Sequence, residues 1–457
     1  MPFALYMLAL AVFVMGTSEF MLAGLLPAIA SDLDVSVGTA GLLTSAFAIG
    51  MVVGAPAMAA SARHWPPRLT LLVCLLAFAS CHVVAGVTPA FTVLFISRVV
   101  AALANAGFLA VALSTSTTLV PEDRKGRALA ILLSGTTIAM VAGVPAGALL
   151  GTALGWRATF WAIALLCIPA ALGILQGVPN QSAGAATGNG PAPGIASELR
   201  QLRSSRLLLA MSLGALINGG TFAAFTFLAP IVTRYAGLSD GWISVVLVVF
   251  GLGSFLGVTI AGRMSDQRPG LVIAVGGPLL SAGWVALASF GSHPALLIVL
   301  VLAQGVLAFG VGSTLITRVL YAATGAPTMG GSYATAALNL GAAAGPALGA
   351  AGIAAGLGGP APVWVAAAMT TAALGVALLS GRMLTCDAME VTRWRRGDRY
   401  SRPSPRKLPG SASKVWGPDR KHISTKARSP WSSPRSTACR STPCWCTSWW
   451  CWCRSRR

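Results

Sequence analysis

Charge is what this sequence has least of. Only 10% of its 457 residues are Asp, Glu, Lys or Arg, and only 12 of them are acidic. Soluble domains carry about a quarter charged residues, so most soluble classes are excluded at once. The dipeptide Gly-Lys never occurs, which excludes a Walker-type phosphate loop and with it an ATP motor. Glycine clusters such as Gly251-Leu252-Gly253 lie inside apolar runs, where a dinucleotide-binding turn has no strand to follow. Cys74, Cys81 and Cys167 are dispersed singly and no metal-ligand spacing accompanies His82, so these four read as packing residues. No cofactor, no metal and no enzymatic chemistry are expected. The first apolar run has no basic segment ahead of it and no convincing cleavage site, so it reads as a retained span.

Apolar residues are abundant: 55% of the chain, with a mean hydropathy of +0.74. A bilayer core of about 30 Å needs roughly 20 apolar residues of helix. Twelve runs meet that length, at about 4–29, 37–60, 69–88, 90–119, 128–151, 158–178, 207–233, 240–262, 271–291, 294–317, 329–353 and 361–381. They do not alternate as the strands of a membrane barrel do. The fold class expected is therefore all-α integral membrane, with twelve transmembrane helices.

The formal net charge of +20 suggests nucleic acid only until it is located. Residues 1–384 carry +7, and residues 385–457 carry +13. With the N-terminus inside, the inner loops hold twelve arginines and lysines, among them Arg63, Arg68, Arg124, Lys125, Arg127, Arg200, Arg203, Arg206 and Arg263; the outer loops hold Arg157 and Arg234. That asymmetry predicts a multi-pass protein of the cell membrane with both termini cytoplasmic. Nucleic acid is not expected as a partner; the lipid bilayer is.

Residues 179–206 form the longest polar break and read as a flexible cytoplasmic linker. The two flanks repeat each other. Gly16 and Pro27 recur as Gly219 and Pro230, and Gly50-x-x-x-Gly54 recurs as Gly253-x-x-x-Gly257. Gly143-x-x-x-Gly147 recurs as Gly345-x-x-x-Gly349 at nearly the same offset. The organisation expected is a six-helix bundle over 1–178, the linker, and a second bundle over 207–384. Parallel repeats of this kind are the architecture of major facilitator transporters, with the substrate site at midplane between the halves.

Ionisable residues inside spans are expensive and therefore functional candidates. Glu19 lies roughly 20 Å along the first span. Burial penalises its charged form, so it can load and release a proton. Its repeat partner is Phe222, so the acid belongs to one half only. Arg98 in span four cannot be neutralised and needs a partner or a wet cavity. Glu19 and Arg98 are the proton-coupling candidates; a locked polar contact and a structural salt bridge are the plain alternatives. Asn105, Asn218, Phe222, Phe225, Tyr333 and Asn339 are the substrate-binding candidates, because a mostly apolar cavity with a few polar groups suits an amphipathic ligand. Each is as compatible with interhelical packing. Gly143, Pro145 and Gly147 combine small residues with a helix distortion, which fits either a gate or a tight static contact.

These residues resemble a known family. Residues 1–384 resemble the twelve-span drug:proton antiporters of the major facilitator superfamily, two pseudo-symmetric six-helix bundles. Arg98 with Gly107 is similar to that family's span-four arginine motif, and Gly143-Val144-Pro145-Ala146-Gly147 to its span-five antiporter motif. Gly262-Arg263-x-Ser265-Asp266-x-Arg268-Pro269 is similar to the family's basic loop motif, which implies gating roles for Gly262, Asp266 and Arg268. The counterpart loop, Ala62 to Arg68, lacks the acidic residue. More narrowly, Gly16 to Pro27, Ala215 to Phe225 and Met329 to Asn339 resemble the chloramphenicol exporters of actinobacteria. That resemblance implies export of chloramphenicol, a small neutral drug, in exchange for protons, and with it antibiotic resistance; a monomer is expected. A carrier for a sugar or another small amphipathic compound, and a non-transporting membrane protein with a binding tail, are the other classes to weigh.

Residues 385–457 do not share the resemblance. They hold six of the nine cysteines and seven of the thirteen tryptophans, ending in Cys-Trp-Cys repeats beside arginines with no apolar period. This composition reads as a frameshifted or disordered tail rather than a metal module.

Overall fold

The computed structural model describes residues 1–61, 65–121, 124–179, 198–265, 269–323, 326 and 329–380. The linker expected over 179–206 lies largely outside these residues, and the tail lies wholly outside them. Among the described residues there is no strand. Twelve helices among the described residues are long and apolar enough to cross a membrane. The first six are Phe3–Phe20, Val37–Met58, Pro67–Val87, Phe91–Thr118, Lys125–Leu154 and Trp156–Gly177. The last six are Ser205–Thr226, Gly241–Met264, Gly270–Phe290, Pro294–Ala322, Gly330–Ala354 and Ala361–Leu379. Below they are spans one to twelve. The end of the bundle that carries Met1 is called the near end, and the opposite one the far end.

Several spans are less regular than uniform apolar runs suggest, and in spans five and seven proline explains where. Span one stops at Phe20, and a separate helix, Leu22–Asp32, continues to the far end. Span seven stops at Thr226, followed by a short turn, Leu228–Pro230, and a π-helical turn, Ile231–Tyr235. Pro230 has no N–H for the carbonyl of Thr226, the residue at which the helix ends. Span five contains a π-helical turn at Ala139–Gly143. Pro145 likewise leaves the carbonyl of Val141 without its usual donor, and a widened turn absorbs the mismatch.

The glycine repeat is a packing repeat. Gly16 on span one abuts Ala139 of span five, and Gly219 on span seven abuts Gly341 of span eleven. Gly50 and Gly54 on span two lie against Ala102 and Ala106 of span four. Gly253 and Gly257 on span eight lie against Gly305 and Val306 of span ten. A Cβ at Gly257 would come 2.9 Å from the Val306 Cα, so only glycine allows the backbones so close. Equivalent glycines thus join equivalent helices in both halves, as two pseudo-symmetric bundles require.

Two seams join the halves. Along the first, span two runs beside span eleven: Gly38 meets Ala350, the Ser45 hydroxyl donates to the Ala343 carbonyl (2.7 Å), and the Ser332 hydroxyl donates to the Ala55 carbonyl (3.2 Å). Along the second, Gly251 of span eight meets Met140 and Val141 of span five. Phe227, at the span-seven break, is fully buried within the apolar core of the first six spans. Its ring is wedged between Gly41 of span two and Gly349 of span eleven. At the far end Arg157 pairs with Asp32 and also donates to the Thr88 carbonyl. Lipid-facing positions are apolar and exposed, as Leu165, Ile168 and Leu172 on span six illustrate.

Candidate functional site

Glu19 occupies the last turn of the span-one helix, one residue from Phe20 and two from the break at Met21. It is partly accessible, while its neighbours Thr17, Ser18 and Phe20 are buried. Span four supplies the polar wall beside it. Arg98 and Asn105 are seven residues apart, two turns, and so share a helix face. The Asn105 amide lies against the Glu19 carboxyl, and the Arg98 guanidinium acts on that carboxyl electrostatically. Asn105 also points its amide nitrogen at the Met51 sulfur, 3.7 Å away.

Arg98 is 1% exposed, and no ion pair holds it among the described residues. Its Nη1 donates to Ser18 Oγ at 2.8 Å and its Nη2 to the Ser18 carbonyl at 2.9 Å. The guanidinium lies 4.4 Å from the centre of the Phe47 ring, and its Nε has no partner. Ser18 Oγ is also 2.6 Å from His82 Nε2, and His82 Nδ1 is 2.7 Å from the Phe78 carbonyl. Both hydrogen bonds of this buried arginine thus end on the helix that carries the acid, and neither uses the acid itself.

Aromatic rings from both halves meet at the residue after Glu19. Phe20 of span one lies 5.9 Å from Phe222 and 6.2 Å from Phe225, both on span seven. Phe225 stacks on Phe250 of span eight at 4.8 Å. The four rings are buried, so they supply apolar contact between the halves at little conformational cost. Of the residues expected from the sequence, Glu19, Arg98 and Asn105 come together here, and Phe222 and Phe225 meet Phe20, the neighbour of Glu19.

Other candidates lie elsewhere. The Asn218 amide donates to the Leu338 carbonyl at 2.7 Å, joining spans seven and eleven. The Asn339 amide donates to the Thr335 carbonyl one turn back. The Tyr333 hydroxyl donates to the Glu198 carbonyl, and the Glu198 carboxylate accepts from the Met329 N–H, so Tyr333 fastens the start of span eleven. Gly143 and Gly147 are buried against Phe13 of span one and Thr159 of span six, with Pro145 buried between them. Gly262 is exposed with open space around it. Asp266 and Arg268 lie outside the described residues.

Ser18, Phe20 and Phe47, which the sequence did not single out, belong to the site, as does His82, which the sequence reading took for a packing residue. Phe20 and Phe47 are indistinguishable by residue type from packing aromatics. His82 carried a signal, an ionisable ring in mid-membrane, but its partner is 64 residues away on span one.

Residues 8–336 match the family model described as Major Facilitator Superfamily. The chain belongs to that superfamily. It is a multi-pass membrane transporter and not an enzyme. It is 61% identical over 388 residues to the "Chloramphenicol resistance protein" of Streptomyces lividans, covering 85% of this chain and 98% of that protein. It is 31% identical over 361 residues to the "Inner membrane transport protein YdhP" of Escherichia coli (strain K12), covering 78% of this chain and 90% of that one. Among solved structures, an inward-facing, occupied bacterial homologue of the human lysosomal transporter Spinster superposes with a TM-score of 0.64. That structure is 17% identical and covers 83% of this chain and 96% of its own, so it speaks to the fold of this transporter alone.

Proposed function

We propose that this transporter exports chloramphenicol in exchange for protons and so confers resistance to the drug. Its likeness to the Streptomyces relative supports the substrate. The mechanism rests on one observation: a partly accessible carboxyl, Glu19, lies beside Arg98 and Asn105 of span four, at the point where the next residue, Phe20, meets Phe222 and Phe225 of the other half. Chloramphenicol is neutral, small and amphipathic, and an aromatic surface with one polar wall suits it. Glu19 takes a proton from one side of the membrane and gives it up on the other, while the two bundles rock about the shared site. Exchange of a neutral drug for a proton moves positive charge inward, so the membrane potential assists export.

The loop arginines favour the near end as the cytoplasmic one, in the cell membrane, with both termini inside. The bundles are 1–178 and 207–384, joined by 179–206, and one chain carries the whole path as a monomer. Residues 385–457 take no part in transport.

Expression in a drug-sensitive host tests the reading. The protein should raise the inhibitory concentration of chloramphenicol, and an uncoupler should abolish the efflux. Glu19→Gln should return susceptibility to that of the empty host with normal amounts of protein in the membrane. Resistance retained by Glu19→Gln would remove the acid from the mechanism.

A further inference from the structure

We infer that His82 is a positioning residue for proton coupling: it orients the Ser18 hydroxyl so that Arg98 is held at the helix break beside Glu19. The inference rests on the antiport reading above and adds a third member to the polar wall, from span three.

The hydrogen-bond roles follow from what each group can do. The Phe78 carbonyl can only accept, so His82 Nδ1 carries a proton and donates to it. Arg98 Nη1 can only donate, so Ser18 Oγ accepts from it. The hydroxyl proton of Ser18 is then free to point at His82 Nε2, which accepts it in the neutral imidazole. The network runs in one direction, from Arg98 through Ser18 and His82 to the carbonyl of Phe78.

The imidazole is built in. It is 1% exposed, with its ring centre 4.2 Å from that of Phe78 and 5.7 Å from that of Phe160. Packing alone would be served as well by a phenyl ring, which has neither nitrogen. Without Nε2 the Ser18 hydroxyl has another outlet, the carbonyl four residues back at Val14, as serines in membrane helices commonly take. That rotation turns the oxygen lone pairs away from Nη1. Arg98 then keeps only the Ser18 carbonyl and swings about it, and its electrostatic hold on Glu19 loosens. A metal role is not supported, since no group of three potential ligands occurs among the described residues.

The test uses the full chain in proteoliposomes and two readouts. One is chloramphenicol uptake driven by an imposed pH gradient. The other is counterflow, the exchange of labelled for unlabelled chloramphenicol without a gradient. A role confined to folding or packing lowers both together. His82→Phe should lower gradient-driven uptake about 10-fold more than it lowers counterflow, the scale expected when one buried hydrogen-bond partner is lost. His82→Gln, whose amide can both accept and donate, should restore most of the difference. Equal losses in both assays, or no loss in either, overturn the inference. If His82→Phe does not assemble, Ser18→Ala removes the same bridge at the cost of one atom, and equal losses there also overturn it. A wild-type protein that supports counterflow but no gradient-driven uptake refutes the antiport reading itself, and the positioning role falls with it.

Discussion

Replacing Gly41 by alanine should tilt this transporter towards a state open at its far end. The added Cβ would lie 2.7 Å from Cε1 of Phe227. Carbon atoms in contact sit at about 3.5–4.0 Å, so the overlap is roughly 1 Å. The ring has nowhere to retreat: on its other side Gly349 leaves so little room that its own added Cβ would lie 2.9 Å from Cε2. Overpacking of this kind costs about 1–3 kcal/mol. It is felt only while span two, span eleven and the span-seven break are together. At about 2 kcal/mol the balance between the closed and open far ends shifts roughly 30-fold, taking each 1.4 kcal/mol as tenfold. A minor open state of a few per cent would then become comparable with the closed one. Spin labels at the exposed Ser31 and Ser239, in a background without the native cysteines, would read the separation of the halves by pulsed resonance. The long-distance population should grow in Gly41→Ala, and a second change, Phe227→Leu, should reverse it by shortening the ring. An unchanged distance distribution in Gly41→Ala would refute the wedge.

Further predictions concern charge and packing. Arg98→Lys keeps the positive charge but loses the two-pronged grip on Ser18, so gradient-driven uptake should fall even though the charge is retained; wild-type uptake would count against the grip. Gly345→Val should reduce the amount of assembled protein, because a Cβ there already lies 3.0 Å from the Ala223 backbone nitrogen, which cannot yield like a flexible side chain; detergent-resistant protein at wild-type levels, measured by fluorescence size exclusion, would contradict this. Ending the chain at residue 384 should leave chloramphenicol resistance in place, and sensitivity of that truncated strain would give the tail a function.

The twelve spans could be read from the sequence because lipid permits so few alternatives: a long apolar run must be helical to satisfy its backbone. The irregularities were only half visible. Pro27, Pro145 and Pro230 marked places where a carbonyl loses its donor, but whether the helix widens, as at Ala139–Gly143, or stops, as at Thr226, depends on neighbours that sequence periodicity does not display. In the candidate site, Glu19 and Arg98 stood out because a charge in a membrane span is costly. Asn218 and Tyr333 stood out for the same kind of reason, yet their polar atoms are used between helices. Residue type announces that a buried polar group needs a partner and not whether that partner is backbone or substrate. His82 shows the reverse: a lone histidine in an apolar run looked like packing until Ser18 was found against it.

The manner in which Arg98 is held has a consequence for selectivity. Its two hydrogen bonds end on Ser18, so a change in the protonation of Glu19 breaks neither of them. In the proposed antiport the arginine's charge stays constant while that of the acid alternates. When Glu19 is ionised the pair is neutral in sum; when it is protonated, a single positive charge remains in the wall. A neutral drug is indifferent to that alternation in sign. A cationic drug would be repelled in the protonated state and tolerated in the other, so its occupancy would follow the proton rather than the shape of the cavity. On the proposed antiport, changing Arg98 to an uncharged residue should thus do more than weaken coupling: it should free the occupancy of a cationic drug from the protonation of Glu19.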